Sequence, residues 1–237
     1  MSTPSALDSF LDKWRQRWPE WAVAEVFVPQ AERGRVLAWF ALLQEFDDIL
    51  NIAGDPLPAD AKLGWWATEL ADWAGHRSRH PLGRMLEPLP APWERLAAAL
   101  PDLVAARARA ADPQAALAAL QGYTAAVAEV EAVVLGGPAA RPQQLAAQVL
   151  ASRLAEVGQA AVPLSLLGGE GTAEAERAQR QWAAALLQDW PARVAGAAPR
   201  RIWAVLARGR LRPQAAGRRA QAHPLRILWD SWRAARG

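Results

Sequence analysis

The sequence contains no cysteine, a single tyrosine and only two lysines, Lys13 and Lys62. The lack of cysteine excludes disulfide bonds and thiolate metal sites, and it favours a reducing compartment. Because no stretch of about 18 apolar residues occurs, the sequence predicts no membrane-spanning helix. The first residues also lack an uninterrupted apolar run, which predicts neither a signal peptide nor an anchor. We therefore expect a cytoplasmic protein.

Strand patterns are scarce as well, and the sequence predicts an all-α protein. Alanine, leucine, arginine and glutamine dominate, and all four favour helices. Proline and glycine divide the chain into predicted helices near residues 5–17, 20–28, 31–52, 58–75, 93–110, 113–134, 142–167, 172–191, 199–209 and 223–236. Asp60, Asp112 and Thr172 are candidate N-caps. Short connections predict one helical bundle over residues 1–237.

Tryptophan is abundant, with 13 residues in 237. Several recur at helical spacing, such as Trp14, Trp18 and Trp21. This pattern is typical of aromatic side chains packed in a core, which is the interpretation we favour. The alternative is that one or two of them, such as Trp39 or Trp65, face a substrate.

The segment EFDDILN, residues 45–51, is the main candidate for chemistry. Gln44, Asp47 and Asn51 share one helical stripe with apolar residues, while Asp48 lies about 100° away. A carboxylate on an apolar face needs a partner, a proton or a cation, and Mg²⁺ can bridge carboxylates to phosphate oxygens. Spacing alone leaves two interpretations open: a magnesium-diphosphate site, or an acidic face that is solvated or salt-bridged.

The segments around this motif resemble the squalene/phytoene synthase family. The resemblance is carried by VFVPQAERGRVLAWFALLQEFDDILN (26–51), KLGWWATELADWAGHRSRHPLGRML (62–86) and the closing HPLRILWDSWRAAR (223–236). It implies a single-domain helical bundle of the isoprenoid (terpenoid) synthase type. It also implies that Asp47 and Asp48 bind Mg²⁺, and that Arg33, Arg35, Gln44 and Asn51 bind an isoprenoid diphosphate. No residue is assigned as catalytic.

The sequence departs from the family pattern where a second Asp-rich motif is expected. Residues 144–167 contain no aspartate, and Glu156 is the only acid near the expected position. Arg153 lies close to it, and an arginine there would repel magnesium. Asn51 also replaces the third carboxylate of the first motif. These losses resemble a branch of the family that has dropped catalysis, whose best-known relatives are assembly factors of respiratory complex I.

Two other patterns in the sequence bear on function. His76 and His80 are four residues apart, as in some zinc sites, but no acidic third ligand is near, and we expect His80 to pack at a helix end. Residues 193–237 contain 11 arginines and one acid, Asp230. Since Trp, Ile and Leu interleave these arginines, the pattern favours amphipathic helices that pack on the domain. Contact with an anionic membrane surface or a partner protein is the next alternative, and nucleic acid is the least favoured.

We therefore predict a short, degenerate bacterial family member that binds an isoprenoid ligand or a protein partner without catalysis. The alternative is an active Mg²⁺-dependent prenyl transferase that condenses isoprenoid diphosphates. The expected location is the cytoplasm, with peripheral contact at the inner membrane through the basic C-terminal helices as an option. No nucleic-acid partner is expected.

Overall fold

The computed structural model describes residues 5–169, 171–218 and 223–237. That part of the chain contains helices and no β-strand, so the all-α prediction is confirmed. The α-helices are α1 Ala6–Arg17, α2 Trp21–Ala24, α3 Gln30–Leu50, α4 Leu57–Ala74, α5 Gly83–Leu86, α6 Trp93–Ala99, α7 Pro101–Ala105, α8 Pro113–Ala118, α9 Gln121–Val134, α10 Pro142–Val157, α11 Thr172–Gln188, α12 Ala198–Ala215 and α13 Pro224–Arg236. Short 3₁₀ helices cover Glu25–Phe27, Gly158–Ala161 and Leu164–Leu166.

The central element is α3. Residues 36–47 of this helix are all buried, which is typical of a helix enclosed by neighbours on every side. It packs against α1, α4, α9 and α10, among others. The motif at its C-terminal end therefore lies mostly inside the bundle, and only Asp48 and Asn51 are partly exposed.

Tryptophan supplies much of the core, and ten of the 13 indoles are buried. One cluster joins the N-terminal helices to α12, because Trp14 lies 5.3 Å from Trp21, 5.4 Å from Phe40 and 5.7 Å from Trp203 between ring centroids. A second cluster surrounds Trp66, whose ring lies at right angles to those of Phe46 and Trp73. The core interpretation is thus correct for most of them.

Several predicted helix bounds differ from the structure. The predicted helix 93–110 is divided into α6 and α7, because Pro101 lacks the amide proton that a continuous helix needs and instead begins α7. The helix predicted over 142–167 stops at Val157, since Gly158 has a positive φ of 54°. The helix predicted to end at 209 continues to Ala215, with Pro213 in its last turn. The short α5 was not predicted.

Of the three predicted N-caps, one is confirmed. The Asp112 carboxylate accepts a hydrogen bond of 2.7 Å from the amide of Ala115 at the start of α8. Asp60 lies inside the first turn of α4, and Thr172 is the first residue of α11, which Gly171 precedes. Both of those predictions are wrong.

Within the described residues, no helix is both long and apolar enough to cross a membrane.

Candidate functional site

The last two turns of α3 place the two aspartates in different environments. Asp47 is buried and lines a small central cavity together with Tyr123 of α9, Ser152 of α10 and Arg200 of α12. Asp48, one residue later, lies about 100° around the helix and is half-buried at the rim. The structure confirms that Asp47 faces the bundle interior, as its position in the apolar stripe predicted.

Burial changes the protonation of Asp47. Removal from water, together with the adjacent Asp48 carboxylate, raises the pKa of Asp47 from 3.8 to about 7. Arg17, the Ser152 hydroxyl and Arg200 oppose this rise without cancelling it. Asp47 is therefore partly protonated near neutral pH, and a cation that bound there would displace this proton.

The carboxylate of Asp48 is bound by side chains of the protein. Lys13 of α1 donates to Asp48 Oδ2 at 2.6 Å, and Gln44 Nε2 donates to Asp48 Oδ1 at 2.8 Å. Lys13 also binds Glu45 Oε1 at 2.9 Å, and Lys62 of α4 binds Glu45 Oε2 at 2.6 Å. Both lysines of the chain thus neutralise acids of the motif.

These contacts are reflected in the pKa values of the partners. Burial alone would lower the pKa of Lys13, but hydrogen bonds to Asp48 and Glu45 raise it. Burial alone would likewise raise the pKa of Glu45, but Lys62 and Lys13 hold it below its ordinary value. The Lys13 ammonium and the Glu45 carboxylate are therefore charged at neutral pH and compensate one another.

Asn51, the third position of the motif, ends α3 and binds an arginine. Arg153 Nη1 of α10 donates to Asn51 Oδ1 at 3.2 Å and to the Leu50 carbonyl at 2.8 Å. Its Nη2 donates to the Arg107 carbonyl at 2.7 Å. The guanidinium thus joins α10 to the end of α3 and to the residues after α7, and it takes up the oxygen that Asn51 could offer to a ligand.

On α10, the face opposite the aspartates contains no carboxylate among the residues that line the cavity. That face presents Leu145, Gln148, Val149 and Ser152, at the spacing of one helical stripe. Glu156, one turn further along, forms an ion pair with Arg17 of α1. The family pattern predicts a second Asp motif on this side of the bundle. The structure instead lines it with apolar and neutral polar groups.

The two predicted substrate-binding arginines lie at the other end of α3. Arg33 Nε donates to the Val28 carbonyl at 3.0 Å, and both Arg33 and Arg35 are partly buried. With a rise of about 1.5 Å per residue, the 14 residues from Arg33 to Asp47 span about 21 Å. The structure brings Gln44, Asp47, Asp48 and Asn51 together, but it does not bring the arginines to them.

A buried ion pair beside the cavity was missed by the sequence analysis. Arg200 Nε donates to both carboxylate oxygens of Glu131 at 2.8 Å, and both side chains are 2% exposed. Trp39 Nε1 also donates to Glu131 at 2.8 Å, and Gln148 accepts from Arg200 at 3.2 Å. The signal in the sequence was a single acid, Glu131, on the apolar face of AAVAEVEAVV.

The interior has little free space. The central cavity has a volume of about 30 Å³, enough for one or two water molecules. Preformed sites for organic ligands are roughly 300–1,000 Å³. A separate groove of about 270 Å³ lies outside it, lined by Lys13, Gln16, Arg17, Gln44 and Asp48. The interior is thus filled by side chains, including Trp203, whose ring lies 4.3 Å from that of Phe40.

The residues present do not fit a magnesium cluster. Within the part of the chain that is described, no group of three or more His, Asp or Glu side chains is placed to hold a metal ion. The two histidines of the candidate zinc pair also have separate contacts, since His76 Nδ1 lies 3.0 Å from Glu87 and the ring of His80 packs 4.5 Å from Trp66. The prediction that His80 packs is correct, but the predicted helix end is wrong, because His80 lies in the loop between α4, which ends at Ala74, and α5, which begins at Gly83.

Comparisons with known proteins agree with this fold. The chain is similar over 99% of its length to 97% of the crystal structure of squalene synthase HpnC from Alicyclobacillus acidocaldarius, with a TM-score of 0.51 and 17% sequence identity. This similarity confirms the isoprenoid synthase fold. No protein of curated function matches the sequence. The model of the squalene/phytoene synthase family matches residues 19–161, more than half of the chain. The chain therefore belongs to the squalene/phytoene synthase family.

Proposed function

We propose that this family member does not catalyse prenyl transfer and acts as a binding protein. The observation that carries the proposal is the binding of Asp48 and Glu45 by Lys13 and Lys62. An ammonium bound to a carboxylate supplies the positive charge that a magnesium ion would otherwise bring. The site therefore needs no cation to be electrostatically stable.

Two further features support the proposal. Arg153 and the Arg17–Glu156 pair occupy the ends of α3 and α10, where carboxylates of a two-sided metal site would be required. The central cavity, at about 30 Å³, is an order of magnitude smaller than a preformed site for an organic ligand. Of the two ligand classes that we predicted, a partner protein thus fits the filled interior better than an isoprenoid.

A calorimetric titration with a non-hydrolysable farnesyl diphosphate analogue, with and without Mg²⁺, tests the proposal. We expect no magnesium-dependent binding by the wild type and no release of diphosphate from farnesyl diphosphate. Lys13→Met is the informative variant, because it removes the ammonium bound to Asp48. Lys62→Met is its matched control, because it leaves the contact between Lys13 and Asp48 intact. Magnesium-dependent diphosphate release by the wild type would overturn the proposal.

Replacement of the aspartates in the cell is an independent test. In a strain that lacks this chain, the Asp47→Ala and Asp48→Ala variants should restore the phenotype as well as the wild type does. If a variant remains folded but does not restore the phenotype, the binding function depends on the aspartates and the proposal is contradicted.

The alternative is a magnesium-dependent prenyl transferase. The groove of about 270 Å³ beside Asp48 favours it, since Lys13 and Arg17 there could contact a diphosphate. This alternative requires that the wild type releases diphosphate and that Asp48→Ala abolishes the release. If the wild type releases no diphosphate with any divalent cation, the alternative is excluded.

A further inference from the structure

The last helix, α13, exposes three of its five large apolar side chains. Leu225, Leu228 and Trp229 are 71%, 40% and 56% exposed. The face toward the body carries Ser231, which is fully buried, and Ile227 and Ala234, which pack on the core. Burial of large apolar groups normally drives a helix onto its core, so this orientation leaves a surface suited to contact with something else.

Specific contacts hold α13 in this orientation. Arg201 of α12 donates to the carbonyls of Ala234 at 2.7 Å and Ala235 at 2.8 Å, and to the carbonyl of Gly196 at 2.6 Å. These bonds satisfy carbonyls at the C-terminal end of α13. A rotation of the helix that buried its leucines would break them, so the exposed face is a built feature of the fold.

The exposed face is aromatic as well as aliphatic. The rings of Trp229 and Trp232 stack with centroids 4.9 Å apart, and the Arg236 guanidinium lies 4.5 Å from the Trp232 ring. Tryptophan combines an apolar body with a polar indole N–H, and it is favoured where a hydrocarbon phase meets water.

Positive charge flanks the apolar stripe. Arg226, Arg233 and Arg236 lie on α13 itself, and Arg212 and Arg218 line the groove between α12 and α13. The single acid of α13, Asp230, lies 3.6 Å from Arg226. A surface that complements this helix must therefore be apolar at its centre and negatively charged around it.

We propose that α13 docks the protein on an anionic lipid bilayer. Leu225, Leu228 and Trp229 enter the headgroup boundary, and the arginines bind lipid phosphates. A second copy of this chain would place one set of arginines against another, which disfavours a self-interface. This surface is remote in sequence from Asp47, and the inference is independent of whether the site at α3 is catalytic.

Flotation with lipid vesicles tests the proposal on the full chain. We expect binding to vesicles that contain about one-third phosphatidylglycerol, little binding to pure phosphatidylcholine, and weaker binding at higher salt. The double variant Leu225→Ser/Trp229→Ser should lower partitioning by an order of magnitude or more. Each of Arg233→Gln and Arg236→Gln should lower it about fivefold.

The matched control is Leu57→Ser/Leu164→Ser. It removes two leucines that are 70% and 54% exposed outside α13, and it should leave partitioning unchanged. Absence of binding to anionic vesicles, equal binding to neutral ones, or full binding by Leu225→Ser/Trp229→Ser would each overturn the proposal. A dimer seen by sedimentation in the wild type and lost in that variant would also overturn it in favour of a second copy.

Discussion

At the scale of single residues, the two adjacent aspartates have separate roles. Asp48 is bound by Lys13 and Gln44, whereas Asp47 lies in a cavity of about 30 Å³ beside Tyr123 and Arg200. A raised carboxyl pKa means that the folded state holds a proton more tightly than the unfolded chain does. Ionisation of Asp47 is therefore coupled to unfolding.

Asp47→Asn should change the dependence of stability on pH. Because the pKa of Asp47 rises from 3.8 to about 7 on folding, its contribution is fully present below pH 4. It is lost as the pH rises to about 7, and that loss is on the order of 4 kcal/mol. Asp47→Asn removes this dependence. Urea unfolding of both proteins between pH 5 and 8 should show the advantage of the variant growing with pH.

His80 acts in the opposite direction over part of the same range. Burial lowers the pKa of His80, so its contribution is present above pH 6.5 and is lost as the pH falls. The wild type and Asp47→Asn both contain His80, so its effect cancels when the unfolding free energy of one is subtracted from that of the other. A constant difference across the range would contradict a buried, partly protonated Asp47.

The Glu131–Arg200 pair gives a second prediction at this scale. Arg200→Met should cost about 3–5 kcal/mol of unfolding free energy, because it leaves the Glu131 charge buried without its partner. The double variant Glu131→Met/Arg200→Met should recover most of this loss. About 1 kcal/mol should remain lost, because the Trp39 indole no longer has an acceptor. Denaturant unfolding of the three proteins measures both values, and equal losses in the single and double variants would contradict the expected coupling.

The sequence could predict only part of this site. The apolar stripe of α3 was enough to place Asp47 inside the bundle, because that position depends on one helical period. The partners of the motif come from elsewhere in the chain: Lys13 is 35 residues from Asp48, and Arg200 is 69 residues from Glu131. Such pairs are decided by tertiary packing, to which local spacing gives no access.

At the scale of elements, Arg153 connects α10 to the end of α3. Its three hydrogen bonds satisfy the carbonyls of Leu50 and Arg107 and the amide oxygen of Asn51. Carbonyls in the last turn of a helix have no partner within that helix. The arginine that we interpreted as repelling magnesium thus also has a structural role.

Arg153→Met should destabilise the protein by about 3 kcal/mol, because it removes charge-assisted bonds from carbonyls that are shielded from water. Amide exchange should accelerate most in residues 47–51 and 105–109. Arg153→Lys should recover less than half of this lost stability, since one ammonium cannot reach all three acceptors. Arg177→Met, which removes an exposed pair with Glu174, is the control and should change stability by less than about 0.5 kcal/mol. Uniform acceleration throughout the chain would contradict a local role.

The helices themselves were largely predictable, and their ends were less so. The long helices α3 and α4 lie within two residues of their predicted bounds, because their composition favours helix throughout. The break between α8 and α9 at residues 119–120 is fixed from outside these helices, because the Asp102 carboxylate accepts a hydrogen bond of 2.8 Å from the Tyr123 amide in the first turn of α9. A Cβ atom at Gly122 would clash with Asp102 Oδ2, so this contact needs a glycine there. Breaks of this kind cannot be found from local sequence signals.

At the scale of the whole molecule, contacts between the two ends of the chain close the bundle. Trp14 of α1 and Trp18, which follows this helix, pack edge to face on Trp203 of α12, and Arg210 donates to Glu20 at 2.8 Å. Arg210 also lies 3.9 Å from the Trp18 ring. Since these contacts join the first and last thirds of the chain, local unfolding of either end should lower the stability of the other.

This connection predicts that residues 1–237 unfold as one cooperative domain. Tryptophan fluorescence and far-UV circular dichroism should give one coincident transition in denaturant. Trp14→Ala should cost about 3–5 kcal/mol, because it leaves a cavity among four aromatic rings. Trp14→Ala should also move the whole unfolding transition to a lower denaturant concentration. Amide hydrogen exchange should accelerate in α12 as much as in α1. Two separate transitions, or protection of α12 that is unchanged in the variant, would show that the chain consists of two units.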